Sequence, residues 1–149
     1  MESSQVKRKK TTTAYGTVSD KVIKEMGKLP PQAPELEEAV IGALMLEKDA
    51  YFDISEILRP ESFYNDHHRY IFEAITQLAL QRKPIDMLTV GEQLKVMGKL
   101  EEAGSQIYLA ELTSKVASAT SIVYHSQIIA QKYLARELIR VATDIQTKA

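Results

Sequence analysis

Residues 121–148 read SIVYHSQIIAQKYLARELIRVATDIQTK and contain neither glycine nor proline. Such a run favours one uninterrupted α-helix, which would extend ~42 Å at about 1.5 Å per residue. Apolar residues near a repeat of about 3.5 are Tyr124, Ile128, Ala135, Leu138, Ala142 and Ile145, and those off it are Ile122, Ile129, Tyr133, Ile139 and Val141. A helix that is apolar on two sides must bury both. We therefore expect one side to pack on its own domain and another on a partner; the alternative is that a six-helix core surrounds the helix.

Shorter helices are predicted before this segment from local start and stop signals. One helix begins at Pro34, and another covers about Phe52 to Leu58, with Phe52 on its apolar face. The remaining signals are a cap at Asn65 or Asp66, a cap at Asp86 or a capping box at Thr89-x-x-Glu92, a left-handed stop at Gly98 and a start at Gly104-Ser105. No window of five or more residues alternates apolar and polar side chains convincingly, as a strand would. The predicted fold class is therefore all-α, a compact bundle of about six helices with a long C-terminal helix.

The composition limits the class of protein. The chain has 149 residues, 44% of them hydrophobic, and no cysteine, which fits one globular domain plus a tail. Without cysteine, disulfides, Cys-ligated zinc, iron–sulfur clusters and thiol nucleophiles are excluded, and the chain suits a reducing cytoplasm. The longest apolar run, from Ala39 to Leu46, covers 8 residues, whereas a membrane span needs about 20. We expect a cytoplasmic protein that does not cross a membrane.

Charge is distributed unevenly along the chain. Residues 1–29 include the run Lys7-Arg8-Lys9-Lys10, have few apolar side chains and lead into Pro30-Pro31. They are predicted to be a disordered basic arm, followed by a folded domain over residues 30–149. From residue 35 onward acidic side chains outnumber basic ones, so a phosphate backbone would be repelled by the body and attracted only by the arm. A small helical DNA-binding or adaptor protein that uses its arm remains an alternative function.

No chemical motif of an enzyme is found. Gly27-Lys28 and Gly98-Lys99 are each followed by leucine where a phosphate-binding loop needs Ser or Thr. Asp66, His67 and His68 are consecutive, so on a helix they cannot converge on one metal ion; His68 is expected to order the start of its helix by a side-chain hydrogen bond. No Gly-x-Ser-x-Gly turn is present. Catalytic, cofactor-binding and metal-binding residues are therefore predicted to be absent.

Five short motifs carry a resemblance to a known family. In chain order they are Pro31-Gln32-x-x-Glu35-x-Glu37-x-x-x-Ile41-Gly42-x-Leu44-Met45-Leu46, Phe63-Tyr64-x-x-x-His68-x-x-Ile71-Phe72, Pro84-Ile85-Asp86-x-Leu88-Thr89-Val90, Gly98-x-Leu100 and Tyr108-Leu109-x-Glu111-Leu112. This pattern closely resembles the amino-terminal domain of DnaB-type bacterial replicative helicases over about residues 30–149. Leu36 stands where the family usually has alanine, a change that a helix accommodates.

The resemblance implies an all-helical domain that dimerises, with three dimers forming a collar on a hexameric motor ring. In the family this collar receives the helicase-binding domain of DnaG primase. The RecA-type motor, which would bind ATP, Mg²⁺ and DNA, is missing, so the chain resembles a helicase fragment that is not itself an enzyme and holds no cofactor. DNA would be bound through the motor, or weakly through the arm. The long helix would be the first arm of a helical hairpin whose second arm lies beyond Ala149.

Two sets of candidate binding residues follow. Self-association is predicted through the long helix, with contacts from Tyr133, Leu134, Leu138, Val141 and Ile145. Primase docking is predicted at Glu35 and Tyr108, which match family motif positions, and at Ile139 and Ile145 if the long helix forms part of the same surface. For Glu35 the alternative is a helix cap, and for Tyr108 a ring in the core.

Overall fold

The computed structural model describes residues 29–116 and 121–148, and every regular element within these ranges is helical. The α-helices there are α1 (Pro34–Leu46), α2 (Ala50–Ile54), α3 (Asp66–Leu80), α4 (Met87–Val96), α5 (Ser105–Lys115) and α6 (Ile122–Lys148), and a 3₁₀ turn lies at Pro60–Ser62. The predicted all-α class is confirmed. The predicted arm, residues 1–29, lies outside the described residues except for Leu29.

Local capping signals fix where α3 and α4 begin. The Asn65 side chain accepts a hydrogen bond from the backbone N–H of His67 at 2.8 Å, so Asn65 is the cap of α3. Asp86 caps α4 by accepting from the N–H groups of Leu88 and Thr89, while the Thr89 hydroxyl accepts from the Asp86 N–H. This reciprocal capping box places the start of α4 at Asp86 rather than at Thr89.

Helix α2 differs from its prediction. It begins two residues earlier than expected and ends at Ile54. Ala50 and Ile54, four residues apart, therefore face the core, and Phe52 between them points outward and is exposed. The prediction that Phe52 lies on the apolar face is wrong, because the register of so short a helix depends on where it starts.

Residues 32–137 form one compact unit, whose core gathers apolar side chains from all six helices. Fully buried members include Ile41, Leu44, Ile54, Leu58, Phe63, Ile71, Phe72, Ile75, Leu94, Leu109, Leu112 and Ile129. The buried apolar residues that α6 contributes to this core are Ile122 and Ile129, within its first three turns. Residues 138–148 belong to a second unit, which is described separately below.

Close packing of α1 on α5 depends on Gly42. A Cβ atom at this position would overlap the backbone oxygen of Leu112 and the Cγ2 atom of Val116. Only a residue without a side chain lets the two helix backbones approach this closely. This contact fixes the distance between α1 and α5, the two helices that flank the site described next.

Candidate docking surface

Tyr108 lies in the first turn of α5 and is half-buried. The helix is preceded by Gly104, whose φ of +97° is in the left-handed region that glycine adopts at low cost. A Cβ atom on Gly104 would come within 2.8 Å of the Tyr108 side chain. Gly104 therefore both allows the turn into α5 and leaves room for the tyrosine ring.

The Tyr108 hydroxyl forms a hydrogen bond with a buried histidine, His68. The Nε2 atom of His68 lies 2.6 Å from the hydroxyl oxygen, and the two rings stack with an angle of 10° between their planes. His68 comes from the first turn of α3 and is completely buried. Its hydrogen bonds thus connect the start of α3 to other helices. His68 does make a side-chain hydrogen bond at this end of its helix, as expected, and Asn65 caps the same end.

Glu37 completes the network behind the histidine. Its Oε1 atom lies 2.8 Å from Nδ1 of His68, and its two oxygens accept hydrogen bonds from the backbone N–H groups of Tyr64, at 2.8 Å, and Asn65, at 3.2 Å. The carboxylate is 1% exposed, so these partners replace water. One buried side chain of α1 therefore fixes the segment before α3, the histidine of α3 and, through it, the tyrosine of α5. We call Glu37, His68 and Tyr108 the buried polar network.

The surroundings of the Tyr108 hydroxyl favour its protonated form. Burial of the ring raises the pKa of Tyr108 to about 12, and negative charge on Glu38, Glu111 and Glu37 adds to the increase. The hydroxyl therefore keeps its proton throughout the neutral pH range. The Glu38 carboxylate also pairs with the ammonium group of Lys115 at 3.5 Å.

The predicted docking residues occupy different environments. Glu35 is exposed in the first turn of α1, where its charge is favourable. This position at the start of α1 also fits the helix-cap alternative. Tyr108 is neither fully exposed nor a completely buried core ring. Ile139 is half-buried and Ile145 is exposed, and both lie in the second unit.

Sequence reasoning missed the burial of Glu37 and the hydrogen bond between His68 and Tyr108. Glu37 and Glu35 both follow Pro34 and both suit the positive end of the helix. Nothing local distinguishes them, since the partners that bury Glu37 lie 27 to 31 residues away.

Helix α6 exposes a regular apolar stripe, formed by Leu134, Leu138, Val141 and Ile145. The spacing of four, three and four residues keeps successive members on one face of a helix. Tyr133, the fifth candidate for self-association, is half-buried beside the guanidinium of Arg136, 5.7 Å from its ring. Arg136 also donates to the Ser62 carbonyl at 3.0 Å. Of the five candidates for self-association, Val141 is exposed together with the three others of the stripe, whereas Tyr133 is half-buried beside them.

Neither a metal-binding cluster nor a membrane-spanning helix is found among the described residues. Within residues 29–116 and 121–148, no three His, Cys, Asp or Glu side chains are placed so that they could hold a metal ion. In the same part of the chain, no helix combines the length and apolar character that a membrane span requires. The fold and the candidate site together define an all-helical domain whose half-buried tyrosine is hydrogen-bonded to a buried polar network.

Comparison with known proteins identifies the family. The model of the DnaB-like helicase N-terminal domain matches residues 29–131. The chain belongs to this family of helicase N-terminal domains, as its motifs predicted.

Curated relatives are full helicases. Over 119 residues the chain is 50% identical to the replicative DNA helicase DnaB of Rhodothermus marinus, and over 118 residues it is 42% identical to that of Geobacillus stearothermophilus. These matches cover 80% and 79% of this chain but only 12% and 26% of the relatives. The chain thus corresponds to a small part of each relative.

Solved structures share the fold. The N-terminal domain of DnaB helicase from Mycobacterium tuberculosis superimposes with a TM-score of 0.77 at 36% identity, covering 79% of this chain and 82% of that one. A structure of a DnaB-like replicative helicase and its interactions with primase gives a TM-score of 0.69 at 27% identity, covering 78% of this chain and 27% of that one. Both agree with the all-helical architecture described above.

Proposed function

We propose that this chain is the N-terminal assembly and primase-docking domain of a cytoplasmic bacterial replicative helicase. In this proposal it dimerises, three dimers form the collar of a hexamer, and the collar receives DnaG primase. Support comes from the family, from the replicative helicases among its relatives and from the similar helicase whose structure includes its interactions with primase. ATP, Mg²⁺ and DNA would be bound by a motor domain outside this chain. We propose that this chain by itself is not an enzyme.

The observation that carries the docking proposal is the environment of Tyr108. Its ring is half-buried and its hydroxyl is held by His68 at 2.6 Å. A tyrosine that is already ordered loses little conformational freedom when a partner covers it. Tyrosine is also enriched among the interface residues that contribute most to affinity. Glu35 and Ile145, which are exposed, and Ile139, which is half-buried, are proposed as further contacts of lower weight.

A titration tests the docking proposal. The helicase-binding domain of the cognate DnaG primase is titrated against the wild-type chain and Tyr108→Ala, with circular dichroism as the folding control. We expect about thirtyfold weaker binding, corresponding to a hot-spot contribution of ~2 kcal/mol. Tyr70→Ala is the matched control, since Tyr70 is another half-buried tyrosine, on α3. Equal affinities for wild type and a folded Tyr108→Ala would contradict the docking role.

The assembly proposal uses the exposed stripe of α6. Large apolar side chains that recur on one helix face are typical of a surface that packs against another helix. The occupant that we propose is α6 of a second copy of this chain, in line with the family's dimers. Leu134, Leu138, Val141 and Ile145 would supply the contacts, with Tyr133 beside them.

A further inference from the structure

With a neutral His68, the hydrogen bonds of the buried polar network run in one direction, because its innermost group can only accept hydrogen bonds. An ionised Glu37 carboxylate has no proton to donate, and the groups around it are the N–H groups of Tyr64 and Asn65 and Nδ1 of His68. A neutral His68 must therefore carry its proton on Nδ1. Its Nε2 atom then has a free lone pair and can only accept a hydrogen bond. This atom lies 2.6 Å from the Tyr108 hydroxyl oxygen.

This direction determines what Tyr108 can offer to a partner. Opposite an Nε2 atom without a proton, the hydroxyl donates its one proton inward to His68, and its remaining lone pairs are acceptors. We propose that His68, held by Glu37, is a positioning residue that makes Tyr108 a hydrogen-bond acceptor on the docking surface, and that the partner group facing Tyr108 is a lysine or arginine side chain. This inference rests on the proposed function, since it names the chemistry of the partner at the same site.

The charges around Tyr108 explain why the donor should be cationic. On α5 the exposed Glu111 acts on the hydroxyl, and on the α1 side Glu38 does so although it also pairs with Lys115 at 3.5 Å; both carboxylates raise the pKa of Tyr108, as negative charges do. On the α3 side the ring of His67 lies 5.4 Å from that of Tyr108, with its Nδ1 atom 2.6 Å from the Glu102 carbonyl oxygen. A positive donor gains from such carboxylates, whereas an acidic group would be repelled.

The opposite protonation state makes the opposite prediction. A doubly protonated His68 would donate from Nε2 to Tyr108 and leave the hydroxyl proton free to point outward. The docking surface would then offer a donor and select an acceptor on the partner. Measuring where the protons of His68 lie therefore decides between the two arrangements.

The first test is spectroscopic and needs no partner. Long-range ¹H–¹⁵N correlation spectra of the ¹⁵N-labelled full chain at pH 7 report the protonation of each histidine ring. Spectra of His67→Gln and His125→Gln assign the remaining ring to His68. We expect a neutral ring with its proton on Nδ1 and none on Nε2. A proton on Nε2, alone or together with Nδ1, would overturn the inference and leave the docking proposal standing.

The second test is binding of the helicase-binding domain of primase to variants that keep the ring. Tyr108→Phe removes only the hydroxyl, and we expect about tenfold weaker binding from the loss of one charge-assisted hydrogen bond. Glu111→Gln should weaken binding severalfold and make it less dependent on salt, because one attractive charge is lost. Glu56→Gln, an exposed glutamate between α2 and the 3₁₀ turn, is the matched control and should bind as wild type.

The outcomes separate this inference from the docking proposal. If Tyr108→Ala loses binding while Tyr108→Phe binds as wild type, the ring docks without its hydroxyl, and the inference is wrong while the docking role holds. If both variants bind as wild type, the docking role fails and the inference fails with it. Weaker binding by Tyr108→Phe and Glu111→Gln, with Glu56→Gln unchanged, supports an acceptor that meets a cationic donor.

Discussion

Glu37 is buried and Ile145 is exposed, which reverses the usual distribution of charged and apolar side chains. In the buried polar network, the carboxylate has three hydrogen-bond donors and is closed off from water. In the stripe of α6, large apolar side chains such as Leu138 and Ile145 face solvent, at 62% and 65% exposure. The network satisfies its polar groups within one chain. The stripe gains its stabilisation only when another apolar surface covers it.

The largest expected effect comes from breaking the buried polar network. Glu37→Ala leaves the N–H groups of Tyr64 and Asn65 and the His68 ring without their acceptor, in a site that water does not reach. We expect the free energy of unfolding to fall by ~3–5 kcal/mol in urea denaturation, the range seen when a buried charged partner is removed.

Glu35→Ala provides a control on the same helix, two residues away. Because Glu35 is exposed, its removal should change the free energy of unfolding by about 0.5 kcal/mol or less. Similar losses for the two variants would mean that burial of Glu37 does not matter for stability.

A smaller effect is expected from Gly42→Ala, which adds a methyl group between α1 and α5. The new carbon would meet the backbone oxygen of Leu112, which cannot move without shifting α5. Overpacking of this kind costs ~1–3 kcal/mol, more than the helix propensity that alanine gains.

Gly91→Ala is the matched comparison, and the free energy of unfolding of both variants is measured by thermal or urea unfolding. There the added carbon meets the end of the flexible Gln106 side chain, which can rotate away at the cost of its hydrogen bond to the Met87 carbonyl. Its stability should stay within about 1 kcal/mol of wild type, since the gain in helix propensity offsets the movement. If Gly91→Ala lowered the free energy of unfolding more than Gly42→Ala, the close backbone contact between α1 and α5 would not be what makes Gly42 sensitive to an added methyl group.

The features that the sequence predicted are those that depend on neighbouring residues. The cap at Asp86 bonds groups two and three residues away, and the uninterrupted α6 follows from the absence of glycine and proline. The motifs also identified the family and with it the helical fold. Where the local signal was short, as at Phe52, the predicted face was wrong.

The interior of the candidate site could not be predicted in the same way. The hydrogen bonds of His68 reach 31 residues back to Glu37 and 40 residues forward to Tyr108. No periodicity or spacing rule connects such positions, because helix packing brings them together. For α6 the two apolar sides were predicted, and Ile122 and Ile129 do enter the core. Val141 lies off the repeat with them in the sequence, but it was also predicted as a self-association contact, and it is exposed.

Light scattering across a concentration series tests most directly whether the stripe of α6 is an assembly surface. We expect the wild-type mass to rise from 16.8 kDa toward twice that value. Leu138→Asp should weaken association more than tenfold, whereas Leu88→Asp, at a leucine of 69% exposure on α4, should associate as wild type. A wild-type mass that stays at the monomer value throughout, or a Leu138→Asp variant that associates as wild type, would contradict the account.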